Sequence, residues 1–247
     1  MKRLLAGPRA VEEALQADPK RVVVVYATAE RLRELDELFR RTQVRAELRA
    51  GNELDQLARG LRHQGVLAIT GEYSYFELET VLEQAPANPL LVALDQISDP
   101  HNLGAIIRSS VAFGADAVIT LKDRAAPVTP VVVRASAGAT ERVRIARVTN
   151  LARTLDNLRK QGMQVLGLAA DARNTLDELD YEPAGRVLVI GSEGDGLRRL
   201  TREHCDALVK IEMPGGFESL NAAVAASIAL YESARARSRA GLAPTSD

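Results

Sequence analysis

The chain has 247 residues, with 32 Lys and Arg against 33 Asp and Glu and a formal net charge of −1, so no global basicity marks a nucleic-acid partner and any RNA affinity must come from a local patch. A single cysteine, Cys205, and three dispersed histidines, His63, His101 and His204, exclude an intrachain disulfide and a Cys/His metal cluster. The N-terminal MKRLLAGPRAVEEAL lacks the apolar core and cleavage site of a signal peptide, and no apolar run reaches membrane-spanning length, so a cytoplasmic, metal-free protein is expected.

Val11, Ala14 and Leu15 form a short helical stripe after the Gly7-Pro8 turn. RVVVVY at 21–26 reads as a β-branched strand buried on both faces. Residues 30–41 read as a charged helix turning Leu32, Leu35, Leu38 and Phe39 inward. A helix near 53–61 and a strand at 65–70 complete a small α/β domain over residues 1–71. Residues 72–89, ending in Pro86 and Pro89, read as a linker with one short helix.

A second α/β pattern fills residues 90–240, with residues 241–247 as a tail. Strands are expected at 90–95, 116–121, 143–147, 164–168, 187–190 and 207–212. Helices are expected at 103–113, 128–137, 150–161, 197–205 and 220–237. Such alternation predicts a mainly parallel sheet with both faces covered.

Within the helix after the first of these strands, Leu103, Ile106, Ile107, Ser110 and Val111 make one apolar stripe. Gly104, Arg108 and Ala112 share another face, small except for one long cation. A mid-helix glycine costs about 1 kcal/mol against alanine, so Gly104 points to close approach of a ligand or second chain. Asn102 reads equally as an N-cap or as part of a site, and Asn-x-Gly-x-x-x-Arg carries more information than either residue alone.

Farther on, the strand at 187–190 enters Gly191-Ser192-Glu193-Gly194-Asp195-Gly196. A glycine-rich strand-to-helix turn can hold a nucleotide, but Glu193 at its centre repels phosphate and suits a cationic group. A nicotinamide enzyme, the competing reading, normally carries its fingerprint in the first strand–helix unit. The last strand leads through Met213-Pro214-Gly215-Gly216 to Ser219-Leu220-Asn221 and an alanine-rich helix, for which Ser219 is a candidate N-cap.

Asn102 through Arg108, Gly191 through Gly196, and Ser219-Leu220-Asn221, in this order, resemble the three motifs of the SpoU (TrmH) family of RNA ribose methyltransferases. Two positions depart from the family pattern: Glu212-Met213-Pro214 follows Ile211 where the family has Pro-Met, and Ala222-Ala223 replace Val-Ser. HQGV at 63–66, DPHNLGA at 99–105, RVTNLART at 147–154 and RRLTREHCD at 198–206 resemble the subfamily acting on a guanosine of 23S rRNA.

The resemblance implies a deep trefoil-knot (SPOUT) domain, S-adenosylmethionine as cofactor, and a homodimer with its site at the subunit interface. It assigns catalysis to Arg108, Asn102, Glu193, Ser219 and Asn221, and cofactor contacts to Gly191, Ile211 and Leu220. It also implies an L30e-like RNA-binding domain at the N-terminus. Residues 1–71 hold 13 Lys and Arg against 10 Asp and Glu, and Arg40, Arg41, Arg45, Arg49, Arg59 and Arg62 are the candidate phosphate contacts. Gly7-Pro8-Arg9 stands where the family carries Gly-x-His. The alternatives are the same reaction on tRNA and a non-catalytic RNA-binding protein of the same fold.

Overall fold

The computed structural model describes residues 3–58, 60–176, 180–182, 184–216 and 219–242. They fall into two compact units, Met1–Ser74 with Pro127–Arg142, and Tyr75–Ala126 with Val143–Asp247. The division expected from sequence falls in the linker 72–89 and assigns 90–240 to one domain. The grouping of 127–142 with the first unit rests on tertiary packing that periodicity does not carry.

The first unit is built on a four-stranded sheet of β1 (Arg3–Ala6), β2 (Val22–Ala27), β3 (Ala46–Leu48) and β4 (Val66–Thr70), in the order β1-β4-β2-β3. β4 runs antiparallel to both neighbours, and β3 parallel to β2. α1 (Pro8–Ala17), α2 (Ala29–Glu34), α3 (Asp36–Thr42) and α4 (Gly51–Ala58) complete its N-terminal part. The helix expected at 30–41 breaks at Leu35, which leaves helical geometry at φ −99°, ψ 7° while its side chain and that of Phe39 are buried. β2 is not buried on both faces throughout. A register shift between Val22 and Val24 leaves Val23 48% exposed.

The second unit begins with α5 (Leu78–Glu83), β5 (Leu90–Asp95), α6 (Pro100–Ala112) and β6 (Ala117–Leu121). Pro127–Arg142 then joins the first unit, contributing α7 (Pro130–Ala135) and the 3₁₀ turn Ala139–Glu141. There Arg3 Nη2 meets Glu141 Oε1 at 2.7 Å with both side chains buried, and Tyr73 OH donates to the Thr140 carbonyl at 3.3 Å.

The remainder of the chain supplies β7 (Arg144–Val148), α8 (Leu151–Lys160), β8 (Gln164–Leu168), β9 (Asn174–Thr175), β10 (Arg186–Gly191), α9 (Arg199–Glu203), β11 (Ala207–Lys210) and α10 (Ala222–Arg239). The sheet order is β7-β6-β5-β10-β8-β11-β9, with each paired neighbour parallel. Every residue of β5 and β6 is buried, as a parallel sheet covered on both faces requires. Leu151, Leu155 and Leu158 of α8 close one face over Ala93, Ile119 and Val187. α6 and α10 pack on each other, with the Ser109 and Ser227 hydroxyls 2.7 Å apart. Because every strand points the same way, the turns after β5, β8, β10 and β11 gather at one edge of the sheet, the usual place for a ligand in such folds.

Candidate active site

Two cap expectations are corrected by the structure, and both corrections release site residues. α6 starts at Pro100 rather than 103, because Asp99 accepts from the His101 N–H at 3.0 Å and Pro100 occupies the first turn. Asn102 is therefore inside the helix and buried, with its amide free to bond elsewhere. Ser219 does not cap the last helix. Asn221 does, its Oδ1 accepting from the N–H groups of Ala223 at 2.9 Å and Val224 at 3.2 Å.

That cap sets which way the Asn221 amide faces. With Oδ1 committed to helix N–H groups, Nδ2 points outward as a donor. It donates to Asn102 Oδ1 at 3.0 Å and to Glu193 Oε1. One side chain thus reaches two segments that lie 119 and 28 residues from it in sequence.

Beside this junction lies a cavity of about 660 Å³. Its walls come from the ends of β8, β10 and β11 and the start of α10, and they include Gly191, Glu193, Ile211, Ser219, Leu220 and Asn221. The turn after β10 closes on itself, with Ser192 N–H donating to Gly196 O at 3.1 Å and Gly196 N–H to Ser192 O at 3.0 Å. A Cβ on Gly191 would lie 2.2 Å from the Gly196 carbonyl carbon, so no other residue fits there. Gly194 and Gly196 adopt positive φ of 84° and 64°, within reach of glycine at little cost.

These walls fit S-adenosylmethionine. The volume suits a nucleoside-sized ligand, the walls at Gly191 and Ile211 bring backbone close, and Glu193 offers a carboxylate to a cationic group. Among the described residues no group of three or more His, Cys, Asp or Glu is arranged to hold a metal. Nor is any helix long and apolar enough to cross a membrane.

Arg108 is not part of this cluster within one chain. It lies six residues beyond Asn102, about 9 Å along the helix by rise, is exposed, and does not line the cavity. Among the described residues it has no hydrogen bond or ion pair. Gly104 on the same face is buried, whereas Ala112 is exposed.

Four polar residues of the site escaped the sequence reading. Asp95, at the end of β5 and in register with Gly191, is fully buried and accepts from Arg198 at two points. At the cavity wall Arg202 Nη2 bridges both carboxylate oxygens of Asp171 at 3.0 and 2.7 Å, which holds that carboxyl below its ordinary range. Asp95 sits seven residues before Asn102 in LDQISDPHN, a strand-end acid that invites a partner, but no spacing rule points to Arg198.

The N-terminal arginines are unequal. Arg40 pairs with Asp36, and Arg45 and Arg49 both pair with Glu47. Arg41 and Arg62 make no ion pair among the described residues, and Arg59 lies outside them. His63 bonds Asp55 through Nε2 at 2.9 Å and accepts the Gly65 N–H at Nδ1, which ties down its own loop.

Residues 89–231 match the family model described as the SpoU rRNA Methylase family. Residues 4–76 match the one described as RNA 2′-O ribose methyltransferase substrate binding. The chain is similar to the 23S rRNA (guanosine-2′-O-)-methyltransferase RlmB of Xanthomonas campestris pv. campestris, 44% identical over 241 residues that cover 94% of this chain and 96% of that protein. The protein of the same name from Pseudomonas aeruginosa is 42% identical over 241 residues, 94% of this chain and 95% of its own. Among solved structures, the SpoU methyltransferase AviRb from Streptomyces viridochromogenes in complex with the cofactor AdoMet superposes with a TM-score of 0.78 at 28% identity, over 96% of this chain and 90% of that one. The AdoMet-bound rRNA methyltransferase from Sinorhizobium meliloti gives 0.77 at 26% identity, over 95% and 87%. The second and third motifs line one cavity, Asn102 of the first bonds to Asn221 at its wall, and sequence and fold both align along nearly the whole chain: the chain belongs to the SpoU rRNA methylase family.

Proposed function

We propose that this chain methylates a ribose 2′-hydroxyl of a guanosine in 23S rRNA, with S-adenosylmethionine as methyl donor. The observation that carries the reading is the Asn221 amide, which ties Asn102 of the first motif and Glu193 of the second to the third at the cavity edge. The names of the relatives from Xanthomonas and Pseudomonas support the substrate.

Gly191, Ile211 and Leu220 would hold the cofactor, which supplies an electrophilic methyl group when bound. Glu193 would offer its carboxylate to a cationic group there and orients Asn221. Asn102 and Asn221 present amide groups to the target ribose, and Ser219 shapes the loop before α10. The 2′-hydroxyl is a weak nucleophile, so charge developing on its oxygen has to be stabilised and the oxygen aligned. Arg108 does this as a fixed cation, since a guanidinium does not lose its proton in a protein. It also grips the adjoining phosphate, and the hydroxyl proton leaves to that phosphate or to water.

The exposure of Arg108 together with Ala112, Val224 and Tyr231 supports a homodimer in which α6 and α10 meet a second copy. In this arrangement Arg108 completes the partner's cavity. The motif turns around the cavity are read as the trefoil knot of the family, the first unit as the L30e-like RNA-binding domain, and the setting as the cytoplasm, where rRNA is made. Mapping 2′-O-methylation across rRNA and tRNA in cells lacking the gene tests the reading. Loss of one guanosine methyl in 23S rRNA is expected; an intact 23S pattern with a missing tRNA site would transfer the activity to tRNA.

A further inference from the structure

β7 is the edge strand of the large sheet, and its open side carries only an isolated bridge from Phe76 to Ala146 among the described residues. Phe76 N–H donates to Ile145 O at 3.0 Å, which fixes the backbone while leaving the ring 40% exposed. Next to it the Arg147 guanidinium lies 4.6 Å over the Tyr75 ring and donates to the Lys122 carbonyl at 2.5 Å. Lys122 and Arg124 are exposed in the loop after β6, and Arg153 is exposed in the first turn of α8. Among the described residues none of these three cations has a carboxylate within 4.0 Å, unlike Arg40, Arg45 and Arg49 of the first unit. A cleft of about 460 Å³ continues the rim from Thr149–Ala152 to Arg198–Thr201. Arg198 opens the helix that follows the Gly191–Gly196 turn, so the rim ends next to the cofactor cavity.

We propose that this rim is a docking surface for the RNA substrate on the catalytic unit itself, with Lys122, Arg124 and Arg153 on phosphates and Phe76 stacked on an unpaired base. The proposal rests on the reading of the chain as an RNA methyltransferase. Charge selects the occupant: in a chain of net charge −1, three cations without an ion pair, outnumbering the intervening Asp123, beside an exposed ring match a polyanion with flat bases. Lys122, Arg124 and Thr149–Ala152 follow the C-terminal ends of β6 and β7, the end of the parallel sheet at which the motif turns collect, so a strand held here is led toward them.

The test uses the full chain and a 23S rRNA fragment, with binding followed by fluorescence anisotropy across a salt series. The variant Lys122→Ala/Arg124→Ala/Arg153→Ala is expected to weaken RNA binding at least tenfold. Its slope of log affinity against log salt should become shallower by about 2, as three lost single-strand phosphate contacts require. Phe76→Ala is expected to weaken binding fivefold or more, with Phe76→Tyr restoring it, since either ring stacks. Cofactor affinity measured by calorimetry should not move in any of them, which separates a docking loss from misfolding. RNA affinity and salt slope equal to the unsubstituted chain would overturn the proposal and leave the rim to an acidic protein. Methylation by the unsubstituted chain is scored separately. Its absence with RNA binding intact would count against the catalytic reading, while the binding comparison still decides the rim.

Discussion

The buried carboxylate of Asp95 holds Arg198 at two points, accepting its backbone N–H at 2.9 Å and its Nε at 2.6 Å. Asp95 ends β5, Arg198 follows the Gly191–Gly196 turn, and the pair fastens the base of that turn to the neighbouring strand. Removing one partner of a buried pair costs about 3–5 kcal/mol, and because Arg198 is 43% exposed the lower end applies. Arg198→Ala should therefore lose about 3 kcal/mol in chemical denaturation and bind S-adenosylmethionine more weakly by calorimetry. Arg198→Lys should recover part of the stability through charge alone. Wild-type cofactor affinity in Arg198→Ala would mean the clamp does not shape the cavity.

Asn221 separates capping from site chemistry. Asn221→Ala removes the cap and should cost about 1 kcal/mol of stability together with activity. Asn221→Asp keeps a good capping oxygen, loses the donor to Asn102 and sets a carboxylate against Glu193. Its melting temperature should stay closer to wild type than that of Asn221→Ala, while methyl transfer falls as far or farther.

Arg108 is exposed and has no side-chain hydrogen bond or ion pair among the described residues, so Arg108→Ala should change stability by no more than about 0.5 kcal/mol. Methyl transfer should drop by about 10²–10³, the usual scale for losing one transition-state charge contact. Arg108→Lys should remain well below wild type, because an ammonium lacks the planar fork. If Arg108 serves the partner's cavity, mixing Arg108→Ala with Asn221→Ala chains restores about a quarter of full activity, one intact site in each mixed dimer. No recovery on mixing would assign Arg108 to its own chain's cavity.

Burial pushes the Cys205 thiol from 9.0 up to about 12. Because the folded chain holds this proton more tightly than the unfolded chain, the group's stabilising contribution is complete below pH 9 and is lost as pH rises toward 12. At pH 8 a thiol reagent should label the native chain far more slowly than the denatured chain. Fast native labelling would show that the packing of α9 opens readily.

Periodicity located the large strands and helices because a sheet covered on both faces leaves continuous apolar runs such as LLVALD at 90–95. It did not find β1, β3 or β9, which have four, three and two residues and rely on their neighbours for pairing. Motif order pointed to Asn102, Glu193 and Asn221, but not to the amide that joins them, because that depends on which residue caps α10. Buried charges were the least legible. Arg237 reads as the solvated end of a helix, yet it is 2% exposed, lying 3.3 Å from Asp116 and donating to Asn88 and the Gly114 carbonyl. Arg186 looks like a charge before a strand, but it is fully buried, stacks 4.9 Å from Tyr181 and donates to Gln164, Ser233 and the Asp180 carbonyl. Burial of an arginine depends on partners far along the chain, and local pattern carries no record of them.

Pro127–Arg142 supplies the first unit with Glu141, the carboxylate that Arg3 reaches. Synthesis therefore cannot complete that unit when residue 74 emerges. It has to wait for residue 142, by which point β5, α6 and β6 are already outside the ribosome. The two units are interleaved along the chain, and a cut at residue 74 would part the first from its own Pro127–Arg142.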